Sequence, residues 1–141
     1  MTTASVIVGA DGRAKAYRPL PEAERIAAVV AGLRAYDKGD FFEAHELLEP
    51  AWMGTPDPAE RSLLQGLIKV AAADVHAVRG NPAGIQRNLI GARERLQAGL
   101  GGTITGVIVD VPGLLQAIDS RLASLASGGD SGPLQIDWMS R

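Results

Sequence analysis

Residues 58–79 read PAERSLLQGLIKVAAADVHAVR, and their pattern is the strongest indication of the fold. Apolar residues recur in it at three- and four-residue spacing, which is typical of a helix with one buried side. The residues expected to face inward are Leu63, Leu64, Leu67, Val70, Ala71, Val75 and Val78. Asp57, Pro58 and Glu60 combine a capping aspartate, a first-turn proline and a glutamate at the third helical position. The pattern predicts one long helix from Pro58 to about Arg79.

Similar residues at helix starts and ends predict four shorter helices around this one. The first begins at Pro21 and ends near Gly39. Asn81 and Pro82 start another, which runs to about Gln97. Asp110 and Pro112 precede the last, whose inward stripe is Leu114, Leu115, Ile118, Leu122 and Leu125. Short turns between helices favour antiparallel neighbours.

The remaining helix follows Asp40, whose carboxylate is expected to cap it, with Glu43 at the capping-box position. Pro50 lies inside this helix. Its ring removes one helical hydrogen bond and clashes with the carbonyl of Glu46. We therefore expect a kink or a break near Glu49.

The predicted fold is all-α: a compact bundle of about five helices, built from antiparallel helical hairpins, with extended N- and C-terminal arms. We expect the chain of 141 residues to form a single helical domain over 1–141. Within it, residues 1–20 form an extended arm with a turn around Gly9 and Gly12, residues 21–126 form the bundle, and residues 127–141 form an extended strap.

Composition and charge exclude several classes of function. The formal net charge is -2, with both signs interspersed, so nothing favours nucleic acid or an anionic membrane as partner. The chain has no cysteine, which excludes disulfides, thiolate metal sites and cysteine nucleophiles. It also has no apolar run long enough to span a bilayer and no signal-peptide pattern at its start. We therefore expect a cytoplasmic location.

The densest group of ionisable and aromatic residues is FFEAHELLE at residues 41–49. On a helix, His45 is expected to face the core. The residues that share its sector are Phe41, Leu48 and Trp52. Glu49, four residues on, is a neighbour at about 5–6 Å between Cβ atoms. Glu43 and Glu46 point in other directions and are expected to lie in solvent.

The long helix carries a second polar stripe with Gln65, Lys69 and His76. Small residues flank this stripe, so another helix can approach it closely. Asp74 falls among the apolar residues instead. A buried carboxylate needs a partner or a raised pKa, which makes Asp74 a further residue of interest.

The sequence resembles a known family of small helical proteins, domain-of-unknown-function family 309. The resemblance rests on FEAHELLE at residues 42–49, on Trp52, on LQGLI at residues 64–68 and on His76 followed by RGN at residues 79–81. It covers the middle of the chain, from about Tyr36 to Leu96. It implies an all-α fold but no established reaction.

The resemblance also implies a shared polar cluster, whose members are His45, Glu46, Glu49, Gln65 and His76. The chain departs from the expected family pattern at Pro50 and Asp74 and at Lys69, where glutamine is expected. A lysine ammonium near the cluster would repel a metal cation.

Three classes of function stay open. In the first, the chain is a non-catalytic binding or interaction module with a buried polar cluster around His45. Its partner is then another protein or a second copy of the chain. The aromatic pair Phe41 and Phe42 supports this class. Two residues about 100° apart on a helix cannot both lie at the centre of its buried face, so one of them is expected to remain available to a partner.

In the second class, the chain is a divalent-metal-dependent, hydrolase-like enzyme with His45, Glu49 and His76 as metal ligands and Glu46 as a further candidate. In the third, His45 is a general base oriented by Glu49 without metal, although no evident nucleophile accompanies it. The sequence by itself names no reaction and no cofactor.

Overall fold

The structure is a computed structural model that describes residues 6–8 and 14–141. In these residues five α-helices form the body of the protein, and two small antiparallel sheets flank it. The helices are α1 (Glu22–Asp37), α2 (Phe41–Gly54), α3 (Pro58–Val78), α4 (Pro82–Ala98) and α5 (Val111–Ala126). The strands are β1 (Val6–Val8), β2 (Ala14–Ala16), β3 (Val107–Val109) and β4 (Trp138–Ser140). The prediction of an all-α bundle of about five helices is confirmed.

Helices α3 and α4 form an antiparallel hairpin with the most extensive helix contact of the bundle. Two glycines make the close approach possible. A Cβ atom at Gly66 would lie 2.6 Å from Cγ of Leu96, and one at Gly84 would clash with Nδ1 of His76. Helix α2 packs on the other side of α3 and also against α1, while α5 packs against α4.

Three of the predicted N-caps are confirmed. Asp57 accepts a hydrogen bond from the backbone N–H of Glu60 at 2.9 Å. Asn81 and Asp110 accept in the same way from the third residue after each of them, at 3.3 and 3.1 Å. These bonds satisfy backbone donors that would otherwise lack a partner at each helix start.

The expectation that Asp40 caps α2 is wrong, and the break considered near Glu49 does not occur. Asp40 makes no side-chain capping bond, and the helix continues through Pro50 without a break. Asp40 lies exposed at an open cleft, where water can satisfy the first N–H groups of the helix. Pro50 is tolerated because it is itself exposed, while its neighbours Leu48 and Ala51 are held in the core.

The core lies between the helices and contains most of the apolar residues predicted to face inward. The largest fully buried apolar side chains are Leu33, Leu48, Leu63, Leu64, Leu67, Leu89, Leu96 and Ile118. Val78 is an error of the sequence prediction, since it is 77% exposed. It is the last residue of α3 and borders an open cleft, so no neighbouring helix covers it.

A buried polar network crosses the bundle. The hydroxyl of Tyr36 donates to Asp74 at 2.6 Å and accepts from the backbone N–H of Leu134 at 3.0 Å. Nη1 of Arg121 lies 2.8 Å from Oδ1 of Asp74, and both side chains are 0% exposed. Arg121 also donates from Nε and Nη2 to the two carboxylate oxygens of Asp130, at 2.8 and 3.2 Å. The network therefore joins α1, α3, α5 and the C-terminal segment.

Burial governs the ionisation of this network. It raises the pKa of Asp74, although hydrogen bonds from Tyr36 and the charge of Arg121 oppose the rise. Burial also raises the pKa of Tyr36 well above its usual range, and the charge of Asp74 adds to this effect. The Arg121 guanidinium holds the pKa of Asp130 below its usual value through their hydrogen bonds.

The C-terminal segment runs back across the bundle. Strand β4 pairs antiparallel with β3, so that Val107 faces Ser140 and Val109 faces Trp138. The indole N–H of Trp138 donates to Asp37 at the end of α1, at 2.9 Å. Leu134 and Ile136 are buried.

The connector between α4 and β3 is anchored by Glu60, which is itself buried. Its carboxylate accepts from the hydroxyl of Thr55 and from both the backbone N–H and the hydroxyl of Thr105, the last at 2.8 Å. Glu60 was expected only as a first-turn residue of α3.

The N-terminal arm lies against the end of α2. The backbone N–H groups of Arg18 and Leu20 donate to the carbonyls of Met53 and Gly54 at 3.1 and 3.2 Å. Strands β1 and β2 pair antiparallel ahead of this contact. The turn predicted around Gly9 and Gly12 lies outside the described residues.

Among the helices of the described range, none is both long enough and apolar enough to cross a membrane.

Candidate functional site

His45, Glu46 and Glu49 come together on one side of α2. Each offers a nitrogen or oxygen atom, and these atoms lie within 4.8 Å of one another. Nδ1 of His45 lies 3.4 Å from a carboxylate oxygen of Glu46. Glu46 was expected in solvent; its side chain is 56% exposed, yet its carboxylate turns towards the histidine.

The His45 ring is neither fully in the core nor fully in water. Its side chain is 26% exposed, but Nδ1 is buried and has no hydrogen-bond partner among the described residues. The 3.4 Å contact with Glu46 therefore does not meet hydrogen-bond geometry. A buried ring nitrogen in that state is uncommon, since buried polar atoms in folded proteins nearly always have a partner.

An open cavity of about 400 Å³ adjoins the cluster. Glu46, Glu49, Pro50 and Met53 line its helical side, and residues 18–20 of the N-terminal arm line the other. The arm is fixed there by its two backbone hydrogen bonds to the end of α2. No pattern in the sequence indicated that the arm would line this cavity.

His76 lies at a different place in the fold. Nδ1 of His76 is 3.1 Å from Nδ2 of Asn81, and its ring stands directly over Gly84. It therefore faces α4 at the α3–α4 turn. The group of potential metal ligands in the described residues comprises His45, Glu46 and Glu49 and does not include His76.

Gln65 and Lys69 share the α4-facing side of α3 with His76. Gln65 is buried. The stem and ammonium of Lys69 lie against Gly91 of α4, and burial lowers its pKa, with Arg95 adding to this effect. The charge of Lys69 is thus directed at α4.

A second open cleft, of about 550 Å³, lies where the α1–α2 turn meets the end of α3. Its lining residues are Gly39, Asp40, Phe41, Phe42, Glu43, Val75, Val78 and Arg79. Phe42 is 61% exposed there, whereas Phe41 is half-buried against Tyr36, with ring centroids 5.1 Å apart. Phe42 is therefore the more exposed of the two phenylalanines.

Sequence reasoning identified Asp74 as a buried carboxylate but missed its partner. Arg121 follows Leu114 and Ile118 at helical spacing, so it continues the apolar stripe of α5. Arg121 is thus a cation in the apolar stripe of one helix, and Asp74 is an anion in the apolar stripe of another. Because a buried charge requires a counter-charge, this pattern could have predicted that the two residues pair.

Most of the residues that line the two clefts lie in a region that matches a family model. Residues 29–88 match the model of the family described as Domain of unknown function (DUF309). The match supports the resemblance to DUF309 that the sequence suggested. The match runs from the middle of α1 to the first turns of α4, and so includes α2, α3 and the cluster around His45. No curated protein matches the chain in sequence.

Proposed function

We propose that this protein is a non-catalytic interaction module that binds a second copy of itself through the cleft around Phe42. The observation that carries the proposal is the presence of two exposed apolar side chains, Phe42 and Val78, in one open cleft. Exposed apolar groups in a concave, polar-rimmed surface are typical of protein-binding sites.

The cleft has both a cavity and a projecting side chain, and that side chain can fill the same cavity in a second copy. Phe41, Val75 and Val78 provide apolar lining, and Phe42 projects from the edge. In a two-fold symmetric pair, the same patch meets itself, so each copy inserts its Phe42 into the other's cleft. Aromatic side chains buried in this way at the centre of an interface commonly dominate its binding energy.

The charges at the rim favour a second copy as the occupant. Asp40 and Glu43 lie at the α2 side of the cleft, and Arg79 lies at the α3 side. In the described residues no ion pair joins these groups within the chain. A two-fold axis through the cleft brings the acidic side of one copy to the basic side of the other.

The alternative, a metal-dependent hydrolase using His45, Glu49 and His76, requires three ligands that the structure does not bring together. Its third ligand, His76, faces α4. The proposed setting of the interaction module is the cytoplasm, without nucleic acid or membrane as partner, in keeping with a net charge of -2.

Sedimentation velocity over a range of protein concentrations tests the proposal. The chain is expected to pass from monomer to dimer as its concentration rises, and Phe42→Ser and Val78→Ser are expected to remain monomeric. Both residues are exposed, so neither substitution removes a core contact. Met139→Ser is the matched control, because Met139 is also an exposed apolar residue, 60% accessible, but lies on β4.

Charge reversal gives the sharper test. Glu43→Lys and Arg79→Glu each place like charges across the two-fold axis, so each variant alone is expected to be monomeric. Mixing the two variants is expected to restore the dimer, because every rim contact then joins opposite charges. A chain that stays monomeric at high concentration, or a dimer that survives Phe42→Ser, overturns the proposal.

A further inference from the structure

We propose that His45, Glu46 and Glu49 form a binding site for a divalent transition cation, with Zn²⁺ as the best-fitting ion, whose remaining coordination position opens towards the cavity beneath the N-terminal arm. This site lies on α2 away from the Phe42 cleft, and it does not depend on self-association.

The distances suit a small cation. Zinc lies about 2.0–2.2 Å from imidazole nitrogen and carboxylate oxygen, so two ligands of a tetrahedral zinc are roughly 3.3–3.5 Å apart. The His45 and Glu46 atoms are 3.4 Å apart. Glu49 completes the group, in which all the ligand atoms lie within 4.8 Å of one another.

The state of the His45 ring points to the same ligand. Nδ1 is buried and lacks a hydrogen bond among the described residues, although a carboxylate oxygen stands beside it. A neutral imidazole can present an unprotonated nitrogen to a cation at that position. A cation between the two atoms would satisfy both the nitrogen and the carboxylate oxygen.

The local charges balance such an ion. Two carboxylates and a neutral imidazole carry a formal charge that a divalent cation cancels. Lys69, which the sequence suggested as a source of repulsion, directs its ammonium at α4. Arg18 lines the adjoining cavity, and its positive charge weakens cation binding there.

Three protein ligands leave a position for water or another small ligand. Glu46 and Glu49 also line the cavity of about 400 Å³, so that position is accessible from this space. Histidine together with carboxylates is a ligand set that zinc and related transition ions accept, whereas Mg²⁺ and Ca²⁺ prefer oxygen ligands alone.

Isothermal titration of the metal-free full-length chain with Zn²⁺ tests this site. One Zn²⁺ per chain is expected to bind, and His45→Gln, Glu46→Gln and Glu49→Gln are each expected to weaken binding at least about tenfold. Glu43→Gln is the matched control: it removes one exposed carboxylate from the same helix, outside the cluster, and is expected to leave the affinity unchanged.

Two further measurements make the result decisive. Co²⁺ in place of Zn²⁺ is expected to give a visible absorption spectrum that reports its coordination geometry and that Glu46→Gln alters. His76→Gln is expected to retain full affinity. Absence of Zn²⁺ binding, an equal loss in Glu43→Gln, or a loss in His76→Gln overturns the proposal. Carrying out the titration in the Phe42→Ser background separates this result from the outcome for self-association.

Discussion

At the scale of single residues, Arg121 depends most directly on its neighbours, because its charged side chain is fully buried. A fully buried guanidinium is tolerated only because Asp74 and Asp130 compensate for its removal from water. Replacing both members of such a pair by apolar residues can leave stability unchanged, whereas removing one leaves an uncompensated buried charge. The stability of the fold is therefore sensitive to the loss of either Arg121 or Asp74 alone.

Arg121→Met is expected to lower the free energy of unfolding by about 3–5 kcal/mol, since it leaves the Asp74 carboxylate buried without its cation. Urea denaturation measures this change. Arg93→Met is the control, because Arg93 forms an exposed pair with Asp119 at 3.0 Å, and such pairs contribute less than about 1 kcal/mol. In an Asp74→Asn background, Arg121→Met should destabilise less; equal effects of Arg121→Met and Arg93→Met would contradict this prediction.

Asp130 makes stability depend on pH in a defined direction. Its pKa is lowered in the folded state by Arg121, from about 3.9 in an unfolded chain. Its contribution is therefore present above the unfolded pKa and is lost as pH falls through the folded pKa. Asp130→Asn is expected to be less stable than the parent at pH 7, with a difference that shrinks below about pH 4.

Urea denaturation of both proteins at several pH values measures that difference. Asp74, whose pKa shifts in the opposite direction, is present in both proteins, so its own contribution largely cancels. Asp119→Asn, at an exposed site, is the control. A difference between parent and Asp130→Asn that is independent of pH would show that the ion pair does not act in this way.

At the scale of secondary-structure elements, the α3–α4 hairpin depends on glycines at its points of closest approach. His76 occupies the space that a side chain at position 84 would need. The histidine is therefore accounted for by packing at this turn, where it also contacts the capping residue Asn81 at 3.1 Å.

Gly84→Ala is expected to lower the free energy of unfolding by about 1–3 kcal/mol, as is usual for overpacking of a close contact. In a His76→Ala background the same substitution should destabilise less, because the ring that the new methyl group meets is gone. Thermal or urea denaturation of the four proteins measures this coupling. The same loss in both backgrounds would show that His76 does not cause the close contact.

At the scale of the whole molecule, the C-terminal segment packs against the helices and contacts residues far away along the chain. Leu134 bonds to Tyr36 on α1, and Trp138 bonds to Asp37 at the end of that helix. Asp130 completes the ion pair of Arg121. Because of these contacts, we expect the segment to unfold together with the helices.

Ile136→Ala is expected to lower the free energy of unfolding by about 2–4 kcal/mol, because it opens a cavity where the segment meets the core. Met139→Ala, three residues on and exposed, is expected to change it by less than about 0.5 kcal/mol. Chemical denaturation compares the two. Similar small effects at both positions would mean that the segment unfolds separately from the bundle.

Apolar periodicity and capping residues act over only a few positions along the chain, so the sequence was enough to predict five helices, three of their caps and the all-α class. It also indicated that Asp74 lies in the core and that His45 lies near Glu49. Which groups from different elements meet became known only from the packed fold: Arg121 with Asp74, the N-terminal arm with Glu46 and Glu49, and His76 with α4. The phase of a helix fixes the direction of a side chain, whereas contacts between elements depend on how the helices pack, which local spacing does not encode.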